Sequence, residues 1–374
     1  MEKRQITATK FYPSLLGFGC MRFPLTTDGK IDEEKAEAMI DYAYNHGINY
    51  FDTAYPYHDG DSEPFLGRVL KKFERSSFYL ATKLPIWKLS SKDDALEIFN
   101  QQLQRLDVDY VDFYLLHALD QEKWQKILDY GVLDVVNQLK KEGKIKLLGF
   151  SFHDKLSVFE KIITYQKWDF CQIQYNYMDT DIQAGSAGYN LATELNIPVV
   201  VMEPVKGGTL AALPADITRL FHQTEPLSSN ASWALRWVGS HPNVKVILSG
   251  MTTLEQLKDN IRTMSPFKPL TMHENFIVDK VTAMIYSRQK NACTTCGYCM
   301  PCPHGVNIPR NFFYWNEGSM YQNEKRTRRY FDMGSEQAQF CVECKECEPK
   351  CPQRIPIISD LKRLVKEVEH LKES

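Results

Sequence analysis

No uninterrupted apolar stretch of this 374-residue chain approaches the roughly 20 residues that a membrane-spanning helix needs. The opening segment, Met1 to Lys10, is polar and contains no apolar signal core. Neither charge is in excess, with Lys and Arg totalling 45 against 47 for Asp and Glu. That balance gives no general attraction to nucleic acid or to an anionic membrane, so the expected partners are small molecules or proteins, while the polar start and the lack of a spanning stretch make the cytoplasm the expected location. Internal repeats and low-complexity tracts are missing. Cysteine is scarce before residue 293, where only Cys20 and Cys171 occur, both expected as small buried hydrophobes near strand ends, with contact to a bound ligand as the alternative for Cys20.

The other eight of the ten cysteines crowd into the last quarter as two runs, Cys293-Thr-Thr-Cys296-Gly-Tyr-Cys299-Met-Pro-Cys302-Pro and Cys341-Val-Glu-Cys344-Lys-Glu-Cys347-Glu-Pro-Lys-Cys351-Pro. Disulfides, two all-thiolate zinc sites and two [4Fe-4S] clusters compete for them. A chain expected in a reducing compartment disfavours disulfides. Zinc often uses two CxxC pairs held apart by a longer loop, whereas each run here carries a third cysteine at the same short interval. The spacing therefore favours clusters. The second run resembles the C-x2-C-x2-C-x3-C-P pattern of two-cluster ferredoxins, and the first is one residue short before its last cysteine. That resemblance implies crossed ligand sets: Cys293, Cys296, Cys299 and Cys351 for one cluster, Cys341, Cys344, Cys347 and Cys302 for the other. Between the runs, the basic segment Lys325–Arg329 reads as a solvated helix face in preference to a docking patch for an acidic redox protein.

Upstream, eight short runs alternate with segments of helical periodicity: Leu15–Gly19, Ile48–Thr53, Phe78–Lys83, Val111–His117, Lys146–Ser151, Phe170–Gln174, Pro198–Glu203 and Val244–Ser249. Eight strands with helical returns predict an α/β (β/α)8 barrel. An open dinucleotide-binding sheet is disfavoured because no G-x-G-x-x-G follows the first strand. Ser62 before Glu63-Pro64 reads as a helix N-cap. Ser265-Pro-Phe-Lys-Pro269 breaks the helical pattern, which gives a barrel over 1–265 and a small, mainly helical ferredoxin-like iron–sulfur domain over 266–374.

Barrel enzymes carry their chemistry at the C-terminal ends of strands. Asp52, Tyr57, Lys83 and His117 fall at or just after three successive strand ends. Tyrosine with an ordinary pKa near ~10 holds its proton at neutral pH and can protonate a nascent alkoxide. A lysine beside it would lower that pKa, a carboxylate would hold the lysine charged, and a histidine would hydrogen-bond the substrate oxygen.

Phe51-Asp-Thr-Ala-Tyr-Pro-Tyr57, Leu80-Ala-Thr-Lys83 and Leu115-Leu-His117 resemble the Asp, Tyr, Lys and His tetrad of the aldo/keto reductase family. Further matches are Gly149-Phe-Ser151, Gln172-Ile-Gln-Tyr-Asn176, Val201-Met-Glu-Pro204, Gly207-Gly208 and Ser249-Gly250 with Gln256, Asp259 and Asn260. The cysteine-rich tail is similar to the ferredoxin-type extension of one branch of that family. The resemblance implies NAD(P)H-dependent reduction of an aldehyde or ketone with Tyr57 as general acid. It implies cofactor contacts from Ser151, Gln172, Met202, Pro204, Ser249, Gly250, Gln256 and Asn260, and favours NADP(H) over NAD(H). Four departures stand out. His153 follows where an asparagine is usual, Met202 stands where many relatives place an aromatic ring, and His58 stands where glycine is common. Gly250, Met251 and Gln256 occupy positions of lysine, serine and arginine in strongly NADP-selective relatives, although Lys258 is nearby. The clusters carry single electrons and a nicotinamide carries two, so their role is structural or that of an electron relay, with a redox protein as possible partner. The alternative is an iron–sulfur electron-transfer protein whose barrel binds a nucleotide without turning over carbonyl compounds.

Overall fold

The computed structural model describes residues 1–372. Eight strands, β1 (Leu16–Gly19), β2 (Tyr50–Asp52), β3 (Tyr79–Leu84), β4 (Val111–Leu119), β5 (Ile145–Phe152), β6 (Phe170–Gln174), β7 (Val199–Met202) and β8 (Val244–Ser249), pair in parallel in chain order. Pairing of β8 with β1 closes the barrel. All eight expected runs are strands. The second is shorter than expected, because Ile48 is held by the preceding helix through Ala43 O and the Asn49 side chain accepts from the Ser14 amide at 2.6 Å. The fourth extends to Leu119 across a register irregularity at which Ala118 adopts φ 53°.

Side chains alternate across each strand, and the two faces form two cores. Outward residues such as Phe51, Leu80, Tyr114, Phe150 and Val201 pack under the helices. Inward residues Tyr50, Ala81, Phe113, Leu115, Leu147, Phe170, Val200 and Val246 fill the barrel, joined by Ile6 from the segment ahead of β1. Gly149 leaves room for this packing, since a Cβ there would lie 2.6 Å from Phe170 O and 2.8 Å from its ring. Two residues past this packed layer, the inward register brings Asp52, Lys83, His117, Ser151, Gln172 and Met202 to the C-terminal end of the barrel.

The helices follow their apolar periodicity. Lys92–Leu106 buries Ala95, Ile98, Phe99, Gln102 and Leu106 and starts in a capping box of Ser91 with Asp94. One cap differs from expectation: Asp61, not Ser62, precedes helix Ser62–Leu70, because the Ser62 hydroxyl is turned inward onto Thr53 Oγ1 at 2.8 Å.

The chain divides into one compact unit of Met1–Ala211 with Leu227–Asn275 and a second of Ala212–Pro226 with Phe276 onward. The cut expected after residue 265 thus falls ten residues later, and Ala212–Pro226 joins the second unit. A physical reason is that Asp216, on helix Ala215–Thr224, pairs with Arg288 of the second unit. The second unit is built on helices Ile308–Met320 and Ile357–Val368, whose buried Ile308, Phe312 and Trp315 meet Ile357, Leu361, Leu364 and Val368. Six of the tail cysteines pack against this core. In the basic segment, Arg326 pairs with Glu317 and Arg328 donates to Leu371 O at 2.7 Å, which engages two of its cations internally.

Candidate active site and four-thiol cavities

Lys83 is the centre of the barrel site. Its ammonium donates to Asp52 Oδ1 at 2.6 Å, to Thr53 O at 2.7 Å and to Tyr57 Oη at 3.2 Å, and the side chain is 1% exposed. β2 and β3 are neighbours, with Asp52 in register with Ala81 and Lys83 two residues further along β3, while Tyr57 opens the short turn Tyr57–Gly60 after β2. Burial works to neutralise Lys83, but Asp52 and Tyr57 outweigh it and hold the group charged. A charge in such surroundings persists only where it is paired and hydrogen-bonded, as here. Tyr57 departs from expectation: burial raises the phenol above its usual value, and Lys83 opposes the shift without reversing it. The resting phenol is therefore firmly protonated.

The His117 ring lies with its centroid 6.3 Å from that of Tyr57 and 5.1 Å from that of Trp87. Burial first, then the Lys83 charge, holds the imidazole well below the ordinary histidine range, so it is neutral. An unfolded chain takes up this proton below about pH 6.5, whereas the folded site resists it. The contribution of His117 is complete above that pH and is lost as pH falls below it. The urea midpoint should therefore drop between about pH 7.5 and 5.5, and drop less in His117→Gln, while His58, His153 and His241, shifted in the same direction, sustain the remainder.

Around this group lies a solvent-open cavity of about 450 Å³. It is lined by all four residues of the constellation and by Ser151, Gln172, Met202, Pro204, Ser249, Gly250, Gln256 and Asn260, so the sequence-derived cofactor set converges on one space. Several of these side chains have other partners. Ser151 Oγ accepts from Ala118 N at 2.7 Å, and Asn260 donates to Ser249 Oγ at 2.9 Å. Gln256 closes a capping box with Thr253 at the start of helix Leu254–Met264, its Oε1 accepting from Thr252 N at 2.8 Å. Its side chain is thus committed to the helix terminus. Gln172 donates to Met202 Sδ at 3.5 Å, and its Oε1 is buried without a partner. An orphaned buried acceptor beside a cavity fits the N–H of a carboxamide such as that of nicotinamide.

The departures also find their places. His58 sits at φ 53°, ψ 49°, a left-handed conformation that explains glycine at this position, and its ring lies 5.6 Å from that of Phe23. His153 lines the cavity and does not cap the next helix, whose N-cap is Lys155. Lys258 does not line the cavity; its ammonium stands over the Tyr42 ring at 5.6 Å. Cys20 and Cys171 are fully buried, and neither lines the cavity. Sequence reasoning passed over Arg22 and Glu203, which also line it.

In the second unit the cysteines fall into two cavities that cross between the runs. One is lined by Cys293, Cys296, Cys299 and Cys351. The other is lined by Cys302, Cys341, Cys344 and Cys347, with Cys299 also at its edge. Burial raises the thiols of Cys293 and Cys299 and pushes Cys347 up to about 11, so thiolates there require a compensating cation. Four thiols in each apolar cavity fit an iron–sulfur cluster.

A closed parallel barrel with a lysine-centred polar cluster at its C-terminal mouth, followed by a unit with two four-thiol cavities, defines a barrel oxidoreductase with an iron–sulfur extension. Residues 15–283 match the aldo/keto reductase family and residues 292–356 a 4Fe-4S dicluster domain. The chain belongs to the aldo/keto reductase family and carries a C-terminal ferredoxin-type domain of the two-cluster kind. It is 27% identical over 308 residues to a probable aldo-keto reductase of Glycine max, covering 71% of this chain and 86% of that one. To an NADH-specific methylglyoxal reductase of Escherichia coli (strain K12) it is 26% identical over 289 residues, covering 64% and 85%. The holo form of an aldo-keto reductase from Bacillus halodurans superposes with a TM-score of 0.63 at 29% identity, covering 75% of this chain and 96% of that one. Among the described residues, no helix is long and apolar enough to cross a membrane.

Proposed function

We propose that the barrel reduces an aldehyde or ketone to the alcohol, with Tyr57 as general acid. The observation that carries this reading is the buried ammonium of Lys83 held at once by Asp52 and Tyr57. A reduced nicotinamide dinucleotide bound in this cavity would supply the hydride to the carbonyl carbon. The two electrons enter as the new C–H bond, the carbonyl π bond opens onto oxygen, and the Tyr57 proton converts that oxygen to a hydroxyl. The phenolate left behind faces the Lys83 ammonium, which Asp52 keeps charged and aligned. Neutral His117, its Nδ1 buried without a partner, contributes a polar edge to the substrate oxygen without competing for the proton. Gln172 and Ser151 would orient the nicotinamide carboxamide, the former through its free Oε1.

The two four-thiol cavities would each hold a [4Fe-4S] cluster that fastens the C-terminal unit, as packing of the cysteines on its core supports. The reading is tested by following oxidation of reduced nicotinamide with a panel of aldehydes and ketones. Turnover dependent on the carbonyl compound is the expected result, and absence of turnover across the panel with either dinucleotide contradicts it.

A further inference from the structure

The carbonyl-reducing site needs its dinucleotide held by the phosphates, and the cavity offers one cation for that work. Lys83 is committed to Asp52, Thr53 and Tyr57. Lys258 is engaged on the Tyr42 ring outside the cavity. The remaining cationic side chain on the wall is Arg22, which ends the short turn Cys20–Arg22 after β1. Arg22 is exposed, and among the described residues it makes no hydrogen bond or ion pair.

Its position is specific. A Cβ on Gly250 would lie 2.9 Å from Arg22 Cδ, and one on Gly207 would lie 3.7 Å from Arg22 Nη2. The side chain therefore spans from the loop after β8 to the loop after β7, two stretches that present bare glycine backbone to the cavity. Gly207 and Gly208 have φ of 62° and 93°, and a Cβ on Gly208 would meet nothing within 4 Å. Close backbone approach without side chains, crossed by an unpaired guanidinium, is phosphate chemistry: planar paired N–H donors against anionic oxygens. The nearby start of helix Leu254–Met264 competes poorly for the anion, since Gln256 Oε1 already accepts from Thr252 N and Thr253 Oγ1 accepts from Gln256 N. Glu203 is the acid at this end. Its Oε2 lies 3.4 Å from the same Gly207 Cβ point and forms no ion pair with Arg22.

We infer that Arg22 is the phosphate anchor of the dinucleotide, reaching across the glycine loops to close on it. The inference rests on the proposed nicotinamide-dependent activity. Two phosphate sources share this chemistry, the diphosphate bridge of either dinucleotide and the 2′-phosphate found only in NADPH.

Calorimetric titration of the full-length protein with NADH and with NADPH, without carbonyl substrate, separates them. Arg22→Gln is expected to raise the dissociation constant about 10- to 100-fold, with Arg22→Lys between it and the parent and with a shallower salt dependence in the glutamine variant. An equal loss for both dinucleotides assigns Arg22 to the diphosphate. A loss confined to NADPH assigns it to the 2′-phosphate. Gly250→Ala, which crowds Arg22 Cδ while keeping the guanidinium, should reproduce part of the loss in a folded protein. Unchanged dissociation constants in Arg22→Gln overturn the inference. A parent protein that binds neither dinucleotide overturns the reading of the cavity itself, and the inference with it.

Discussion

Replacing Tyr57 by phenylalanine should lower kcat for carbonyl reduction by about 10²- to 10⁴-fold, the usual worth of a positioned general acid. Dinucleotide affinity should be nearly unchanged, because the phenol contributes the proton and not the binding contacts assigned to the cavity wall. Stability should also hold. The hydroxyl's hydrogen-bond partner is Lys83, which keeps Asp52 Oδ1 and Thr53 O at 2.6 and 2.7 Å when the hydroxyl is removed. Steady-state kinetics and a thermal melt on the same preparation check both halves of the prediction. A Tyr57→Phe protein that turns over within a few-fold of the parent would remove tyrosine from the proton-transfer step.

Paired cysteine substitutions give the second large effect, because the cavities cross between the runs. Cys302 lies with Cys344 in one cavity, although the two belong to different runs. Cys296 belongs to the run of Cys302 but lines the other cavity. If each cavity holds one cluster, the parent carries about eight irons per chain and Cys302→Ser with Cys344→Ser keeps about four. Cys302→Ser with Cys296→Ser should lose nearly all. Iron and sulfide analysis of anaerobically purified protein reads the difference, and the reverse ranking would mean that each run ligates its own cluster. The same variants separate the roles of the clusters. Undiminished carbonyl turnover beside a C-terminal unit newly open to proteolysis marks them as structural, whereas loss of turnover marks an electron relay.

Much of the barrel could be read in the chain because β-branched and aromatic runs of strand length recur with helical returns, and alternation then places every second residue inside. That rule is what carries Lys83 and His117, two residues past Ala81 and Leu115, to the mouth. The sign of the Tyr57 shift was not legible. A sequence shows which charge stands beside the phenol but not how deeply the ring is buried, and burial is the larger effect here. Gln256 lines the cavity as expected and also closes a capping box, a second role that the local pattern Thr253-Leu-Glu-Gln256 announces. The segment Ala212–Pro226 belongs to the second unit through tertiary packing that no local pattern announces. Arg22 escaped notice because its significance depends on two loops more than 180 residues downstream in the chain, at Gly207 and Gly250.

The central claim is that the barrel passes a hydride directly to a carbonyl carbon. Turnover of an aldehyde with reduced nicotinamide carrying deuterium at C4 on the transferred face, followed by mass spectrometry of the alcohol, tests it most directly. The account predicts one deuterium on the carbinol carbon, and no label there when solvent is deuterated in its place. A product that takes its carbon-bound hydrogen from solvent would contradict direct transfer.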